Sequence, residues 1–275
     1  MTSKQSAPIG AFDSGVGGLS VLKEIRAQLP NENIIYIADQ ANVPYGPKGL
    51  EKVRQFSDGI TQFLFAQGAK LIVIPCNTAS AAALHYLREK YPDVPFVGME
   101  PAVKPAAEQT ETGVIGVLAT PTTFEGELYA SVVERFAQDA TVLQSTCPGL
   151  VAEIEAGRAN GPTAKEILED VLRPMLKMGL DIVVLGCTHY PFSFETIRDI
   201  VGPKVKLIDP APAIALRTAS LLDQKGLRNS SESAGNTRYF TSRDPVQMKL
   251  RVQELLGEND DVAGLSWLDG RLVKN

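Results

Sequence analysis

The sequence predicts an α/β fold of two similar lobes, each a mostly parallel sheet flanked by helices. Three observations carry this. First, short runs of branched apolar residues alternate with amphipathic stretches of ten or more residues, the pattern of strands joined by crossover helices. Second, two openings match: "IGAFDSGVGG" (Ile9–Gly18) and "IGVLATPTTFEG" (Ile115–Gly126) each begin as a strand and then break into polar and small residues. Third, two endings match: "IVIPCNTA" (Ile72–Ala79) and "VVLGCTHY" (Val183–Tyr190) each run apolar to a cysteine and then turn polar. The internal spacing is similar too, 63 residues from position 13 to 76 and 67 from position 120 to 187.

In chain order, Ile9–Phe12 reads as the first strand. Gly15, Gly17 and Gly18 follow as a tight turn with close helix–sheet packing. GxGxxG spacing and a P-loop lysine are both missing, which argues against a phosphate cradle. A helix over Leu19–Gln28 leads to a strand at Ile34–Ala38, a proline–glycine loop and a helix over Leu50–Ala66. The strand Leu71–Pro75, helix Ala79–Lys90 and strand Phe96–Val97 complete the first run. "VPFVGMEPAVKPAA" (Val94–Ala107), with its three prolines, is the expected crossing between lobes. Beyond it come strand Val114–Leu118, helix Glu125–Gln138, strand Thr141–Gln144, helix Ala164–Met178, and strands Ile182–Leu185 and Val205–Ile208. "IDPAPAIA" (Ile208–Ala215) is the expected return. It opens helix Ala211–Lys225, followed by the polar loop "LRNSSESAGN", strand Arg238–Phe240, helix Pro245–Leu255 and strand Gly264–Trp267. The expected lobes are residues 1–97 with 210–275, and residues 98–209.

The 275 residues are 44% apolar and 21% charged, ordinary for a globular protein. A net charge of −5 and a pI near 5.2 argue against nucleic-acid or membrane-surface partners, which select basic patches. No apolar stretch approaches the roughly 18 residues of a membrane span. "MTSKQSAPIGAF" carries no apolar export signal, so a cytoplasmic location is expected. Three cysteines and two histidines without a CxxC support neither a disulfide framework nor a zinc site.

Ligands of open α/β sheets bind beyond the carboxyl ends of the strands. Asp13, Cys76, Thr120 and Cys187 stand there, each between an apolar run and an expected helix. A helix start favours anions and lowers a thiol's pKa from about 8.5. If the lobes face each other, the two cysteines reach one small ligand from opposite sides. That suits inversion of a carbon centre, with one thiol removing a proton and the other delivering one. Asp13 and Ser14 are placed to orient one thiol, and His189, held by a carboxylate such as Glu155, the other. Asn77, Thr78 and Thr188 suit the charged ends of a small zwitterion. Cys147, without a matching partner, reads as a packing residue, and His85 as part of a helix.

Four stretches then coincide with one family. In "FDSGVGGLSVL" (Phe12–Leu22), "YIADQANVPYGPKG" (Tyr36–Gly49), "IPCNTASA" (Ile74–Ala81) and "LGCTHYPF" (Leu185–Phe192) the chain resembles the glutamate racemases. "PYGPKG" favours these over aspartate racemase relatives. The resemblance implies interconversion of L- and D-glutamate for bacterial peptidoglycan, without pyridoxal phosphate, metal or flavin, in a cleft between the lobes. It implies Cys76 and Cys187 on opposite sides of the α-carbon, Asp13 near Cys76, and Glu155 with His189 near Cys187. Glu155 is placed by counting along "CPGLVAEIEAG" (Cys147–Gly157), where Glu153 lies two residues away. Substrate contacts are implied from Asp13, Ser14, Tyr45, Gly46, Asn77, Thr78, Thr188 and His189, with Thr120 and Thr123 beside them. In "LATPTT", Ala119 and Pro121 replace the more usual glycine. The expected partner is glutamate alone, with no nucleic acid and no membrane; a homodimer is entertained, the sequence giving no oligomeric state. The alternatives are a racemase or isomerase of aspartate, hydantoins or maleate, a hinged amino-acid-binding module, and a dithiol redox protein.

Overall fold

A computed structural model of the chain describes residues 4–275. Its strands are β1 (Ile9–Asp13), β2 (Ile34–Ala38), β3 (Leu71–Ile74), β4 (Phe96–Gly98), β5 (Val114–Ala119), β6 (Thr141–Ser145), β7 (Ile182–Gly186), β8 (Lys206–Ile208), β9 (Thr237–Thr241), β10 (Val262–Leu268) and β11 (Arg271–Lys274). The α-helices are α1 (Leu19–Gln28), α2 (Leu50–Ala66), α3 (Asn77–Lys90), α4 (Val103–Gln109), α5 (Pro121–Glu125), α6 (Glu127–Phe136), α7 (Leu150–Glu155), α8 (Pro162–Lys177), α9 (Phe194–Val201), α10 (Ala211–Gln224) and α11 (Pro245–Leu256).

The strands form two sheets, a seven-stranded one in the order β11-β10-β9-β2-β1-β3-β4 and a four-stranded one in the order β6-β5-β7-β8. Every pairing is parallel except β10 with β11. The mostly parallel α/β architecture is the one the sequence predicts. Parallel strands are covered on both faces, which is why β1, β2, β3 and β7 are buried along their whole length.

Alternation of side chains divides each strand between two apolar layers. In the smaller sheet Ile115, Val117, Ile182 and Val184 pack with α4 and α6, while Leu118, Val183 and Leu185 face α8 and α9. That second layer does not stop at the lobe. It runs through Val97, Met99 and Leu118 into the side of the large sheet covered by α1 and α10.

Three features depart from the expected elements. The helix expected at Glu125–Gln138 is α6, which starts after the extended residue Gly126, and the five-residue α5 before it is additional; a Cβ on Gly126 would lie 2.8 Å from Ala81 Cβ of α3. Pro121 takes the first turn of α5, where its fixed φ and missing N–H cost nothing. Helices α4, α7 and α9 have no counterpart in the sequence reading; they are only six to eight residues long, short for a periodicity signal. Strand β11 is likewise additional. It returns from β10 through Asp269 and Gly270, both at positive φ, as the Asp-Gly hairpin turn requires.

Candidate active site

The four expected strand-end residues come from two adjacent inner strands of each sheet. Asp13 ends β1 and Cys76 follows its neighbour β3; Thr120 follows β5 and Cys187 follows its neighbour β7. Cys76 and Thr120 are helix N-caps with extended backbone, φ −151° and −88°. The Cys76 sulfur accepts from Ala79 N at 3.4 Å and Thr120 Oγ1 from Thr123 N at 3.4 Å. An apolar strand that stops at a capping residue aims that side chain past the sheet edge, so the repeated phrase in the sequence has a repeated geometric meaning. Cys187 is followed by a short 3₁₀ turn, Tyr190–Ser193, instead of a regular helix.

Both cysteines line one cavity. Around it stand Ser14, Pro44, Tyr45, Gly46, Cys76, Asn77, Thr78, Thr120, Val151, Cys187, Thr188 and His189. Cys76 is 4% and Cys187 5% exposed. Their rear surfaces pack into different apolar layers, so the cavity is where those layers meet. Its water-accessible volume is about 20 Å³, room for about one water.

Hydrogen bonds draw the two sheets together around this cavity. Thr188 Oγ1 donates to Asp13 Oδ2 at 3.0 Å, and Ser20 Oγ to the Thr188 carbonyl at 3.1 Å. Thr78 and Thr120 hydroxyls meet at 2.8 Å, and Thr120 and Thr123 hydroxyls at 2.9 Å. Thr122 Oγ1 donates to the Gly46 carbonyl at 2.5 Å. Glu155 takes Val16 N at 2.8 Å and Gln40 Nε2 at 2.9 Å. Glu153, the neighbour in the count, pairs with Arg158 at the surface.

The glycines of "DSGVGG" serve this contact. A Cβ on Gly15 would lie 1.9 Å from Glu155 Oε1, and one on Gly17 2.5 Å from His189 Nδ1. Neither glycine has positive φ. The chain does turn here, with Leu19 N bonded to the Val16 carbonyl at 3.0 Å, but these two glycines are small because the opposite lobe presses on them. Gly18, whose Cβ would meet Tyr36 and Pro75, does serve helix–sheet packing.

The surroundings of the two cysteines differ. On one side stands Cys187, with His189 Nδ1 at 3.8 Å from its sulfur. His189 Nε2 lies 2.6 Å from Glu155 Oε1. Burial alone would lower the His189 pKa; its bonds to Cys187 and Glu155 carry it well above 6.5 instead. Burial would raise Glu155, but His189, Gln40 and Val16 N–H outweigh it and hold the carboxyl below its usual range. Both shifts favour the imidazolium–carboxylate form of the pair. On the other side, burial raises the pKa of Asp13 despite His189 and its own hydrogen bonds. Burial, then the charge of Asp13, pushes the Cys76 thiol well above 9.0. The expectation that a helix start lowers this thiol's pKa is overturned: the Ala79 N–H does lower it, but burial and a neighbouring carboxyl weigh more.

Asn77 is 3% exposed, and its amide nitrogen and oxygen have no hydrogen-bond partner among the described residues. An unpaired buried amide costs about 1–3 kcal/mol, and this one borders the cavity, available to a ligand's charged groups. Tyr45 is oriented by its hydroxyl's 2.7 Å bond to buried Asp39. Cys147, 2% exposed and at φ 43°, lies in the apolar layer, its thiol pushed up to about 12 by burial. Among the described residues no group of three or more His, Cys, Asp or Glu is arranged to hold a metal.

Gln40, Pro44, Thr122 and Val151 belong to this site and were given no role by the sequence reading, although each lies within a stretch it quotes. Nothing local sets them apart from their neighbours there, since only the tertiary approach of the lobes brings them in.

Two sheets with matched strand ends enclose one buried cavity bordered by a cysteine from each, and the known proteins this chain matches are enzymes of the racemase class. A family profile described as Asp/Glu/Hydantoin racemase matches residues 16–218. The glutamate racemase of Ectopseudomonas mendocina (strain ymp) is 48% identical over 260 residues, 94% of this chain and 98% of that protein. The chain belongs to the Asp/Glu/Hydantoin racemase family. Among solved structures, glutamate racemase from Francisella tularensis in complex with D-glutamate is 31% identical, with a TM-score of 0.83 over 95% of this chain and 98% of that one. Escherichia coli glutamate racemase, in complex with L-glutamate and the activator UDP-MurNAc-ala, is 34% identical, with a TM-score of 0.82 over 95% and 99%.

Proposed function

We propose that this enzyme interconverts L- and D-glutamate by direct proton transfer at the α-carbon, with Cys76 and Cys187 as the two acid–base groups. The observation that carries the reading is the shared cavity: a cysteine from each sheet borders it. A thiolate on one side takes the α-proton, and the C–H electron pair becomes the carbanion's. The opposite thiol gives its proton to the other face and is left as thiolate. Exchanging the roles runs the reaction backwards, and no pyridoxal phosphate, metal or flavin takes part.

The α-proton is only weakly acidic, so the carbanion needs preorganised polar groups in a dry site. Asn77, Thr78, Thr188 and Ser14 meet the α-carboxylate and ammonium, and Tyr45, Gly46, Thr120 and Thr123 border the substrate. His189, held by Glu155, exchanges protons with Cys187; Asp13 does so with Cys76. Substrate entry requires the lobes, residues 1–97 with 210–275 and residues 98–209, to part, since a cavity of about 20 Å³ admits no amino acid. The likeness to relatives bound to each glutamate enantiomer supports glutamate as substrate, and D-glutamate for peptidoglycan as its use.

The test is proton NMR of L-glutamate with the enzyme in heavy water, beside L-aspartate. The expected result is loss of the glutamate α-proton signal without added cofactor. Cys76→Ser and Cys187→Ser each lose racemisation, and Cys147→Ser keeps it. Binding without deuterium entry, or near-parent activity in either of the first two variants, sinks the reading.

A further inference from the structure

Gln40 is 9% exposed and is held at both ends of its side chain. Its Oε1 accepts from Thr241 Oγ1 at 2.8 Å, and its Nε2 donates to Glu155 Oε2 at 2.9 Å. Thr241 Oγ1 itself accepts from Arg243 N at 3.3 Å. The Glu155 carboxylate can only accept, so the amide nitrogen of Gln40 faces it and the amide oxygen faces Thr241, whose one hydroxyl proton it receives. A polarised chain results: Arg243 N–H to Thr241, Thr241 to Gln40, Gln40 to Glu155, with His189 donating to the other carboxylate oxygen and reaching Cys187. The first three members stand on the large sheet's side, the last three on the small one's.

We propose that Gln40 is a positioning residue that orients and charges the Glu155–His189 pair, so that proton transfer at Cys187 depends on the lobes being closed. The proposal rests on the reading of Cys187 as an acid–base group. When the lobes part, Glu155 loses Gln40 and Val16 N–H and keeps only His189. The carboxylate is then less stabilised, and the imidazole is no longer aligned from behind. Closure thus assembles the proton-transferring group as well as excluding water. The other titratable or charged groups around Glu155 are Tyr36, whose own pKa it raises, Asp13 across the cavity, and Arg243 and Asp244 on the shared outer wall.

The experiment compares Gln40→Glu and Gln40→Leu with the parent, reading kcat/KM across pH together with melting temperature. Glutamate is isosteric with glutamine. Protonated, it donates to Glu155 as Gln40 does; ionised, it opposes one carboxylate with another, and the pair shares a proton. Gln40→Glu should therefore lose activity as pH rises through a range where the parent is flat, and regain it on acidification. Gln40→Leu should lose roughly tenfold, the size expected for one hydrogen bond to a charged group, with its acidic limb moved to higher pH. A Gln40→Glu enzyme that follows the parent's profile overturns the proposal, whether or not the leucine variant folds. So does an equal loss in both variants at every pH, the signature of a structural role alone. Failure of the parent itself to exchange the α-proton would instead remove the racemase reading.

Discussion

Replacing Gly17 by alanine adds one methyl group where the two lobes touch. Its Cβ would sit 2.5 Å from His189 Nδ1 and 2.6 Å from Thr188 Oγ1, against about 3.4 Å for the start of ordinary contact. The shortfall is about 0.9 Å (3.4 less 2.5). Neither neighbour is a free end: His189 is fixed by Glu155 and Cys187, and Thr188 by Asp13. Either the imidazole retreats by that distance or the lobes stop short of closing by it. A misplacement near 1 Å in a proton-transfer geometry costs about 10²-fold, or roughly 2.7 kcal/mol of barrier. The backbone at this position accepts alanine, because Gly17 has no positive φ, so the cost falls on the contact between the lobes and not on the fold of either one. The assay is enantiomer interconversion followed by circular dichroism, with a thermal melt of the same sample. The expected outcome is a cooperative melt at an equal or modestly lower temperature with kcat/KM lower by about two orders of magnitude. A well-folded variant within about threefold of the parent would refute the claim that closure to contact distance is needed.

Glu155→Gln removes the charge that helps hold His189 as imidazolium. A raised His189 pKa means the charged form is lost as pH rises through the folded value, so the alkaline limb of kcat/KM should move to lower pH in this variant; an unmoved limb in the pH profile would show that another group sets it. Asp13 has its pKa raised by burial, so folding disfavours its carboxylate, and stability falls as pH rises from 3.8 through the folded value. Asp13→Asn should therefore lower activity while improving the melting temperature relative to the parent more at pH 7 than at pH 4, and an equal shift at both, read by calorimetry, would count against it.

The central strands and the cysteine pair are legible because one local rule generates both: a buried parallel strand reads as a branched apolar run, and the residue that ends it is a cap. Gly15 and Gly17 mark where that kind of reading stops. A sequence shows the missing Cβ but not whether its own turn or a distant side chain forbids one, and here the obstacles are Glu155, Thr188 and His189. The direction of the Cys76 shift is likewise set by burial and by Asp13 on the adjacent strand, neither a property of the stretch around residue 76. Gln40 and Thr122 acquire their partners only when the sheets meet. Helices α4, α7 and α9 are too short to repeat an apolar face. The β10–β11 hairpin is a different case: Asp269–Gly270 between two apolar runs is a readable turn signal.

The larger sheet joins β2 to β9, aligning Ile34 with Thr237, whereas the smaller sheet consists wholly of residues between Val114 and Ile208. Synthesis runs in one direction, so the nascent chain can complete the inner sheet while β2 still lacks one neighbour. All five residues of β2 are apolar or aromatic and end up buried, and an open edge of that kind invites pairing with another chain. A polypeptide stalled on the ribosome before Thr237 therefore carries one finished sheet beside an unsealed one, and its hazard of aggregation lies at the older of the two.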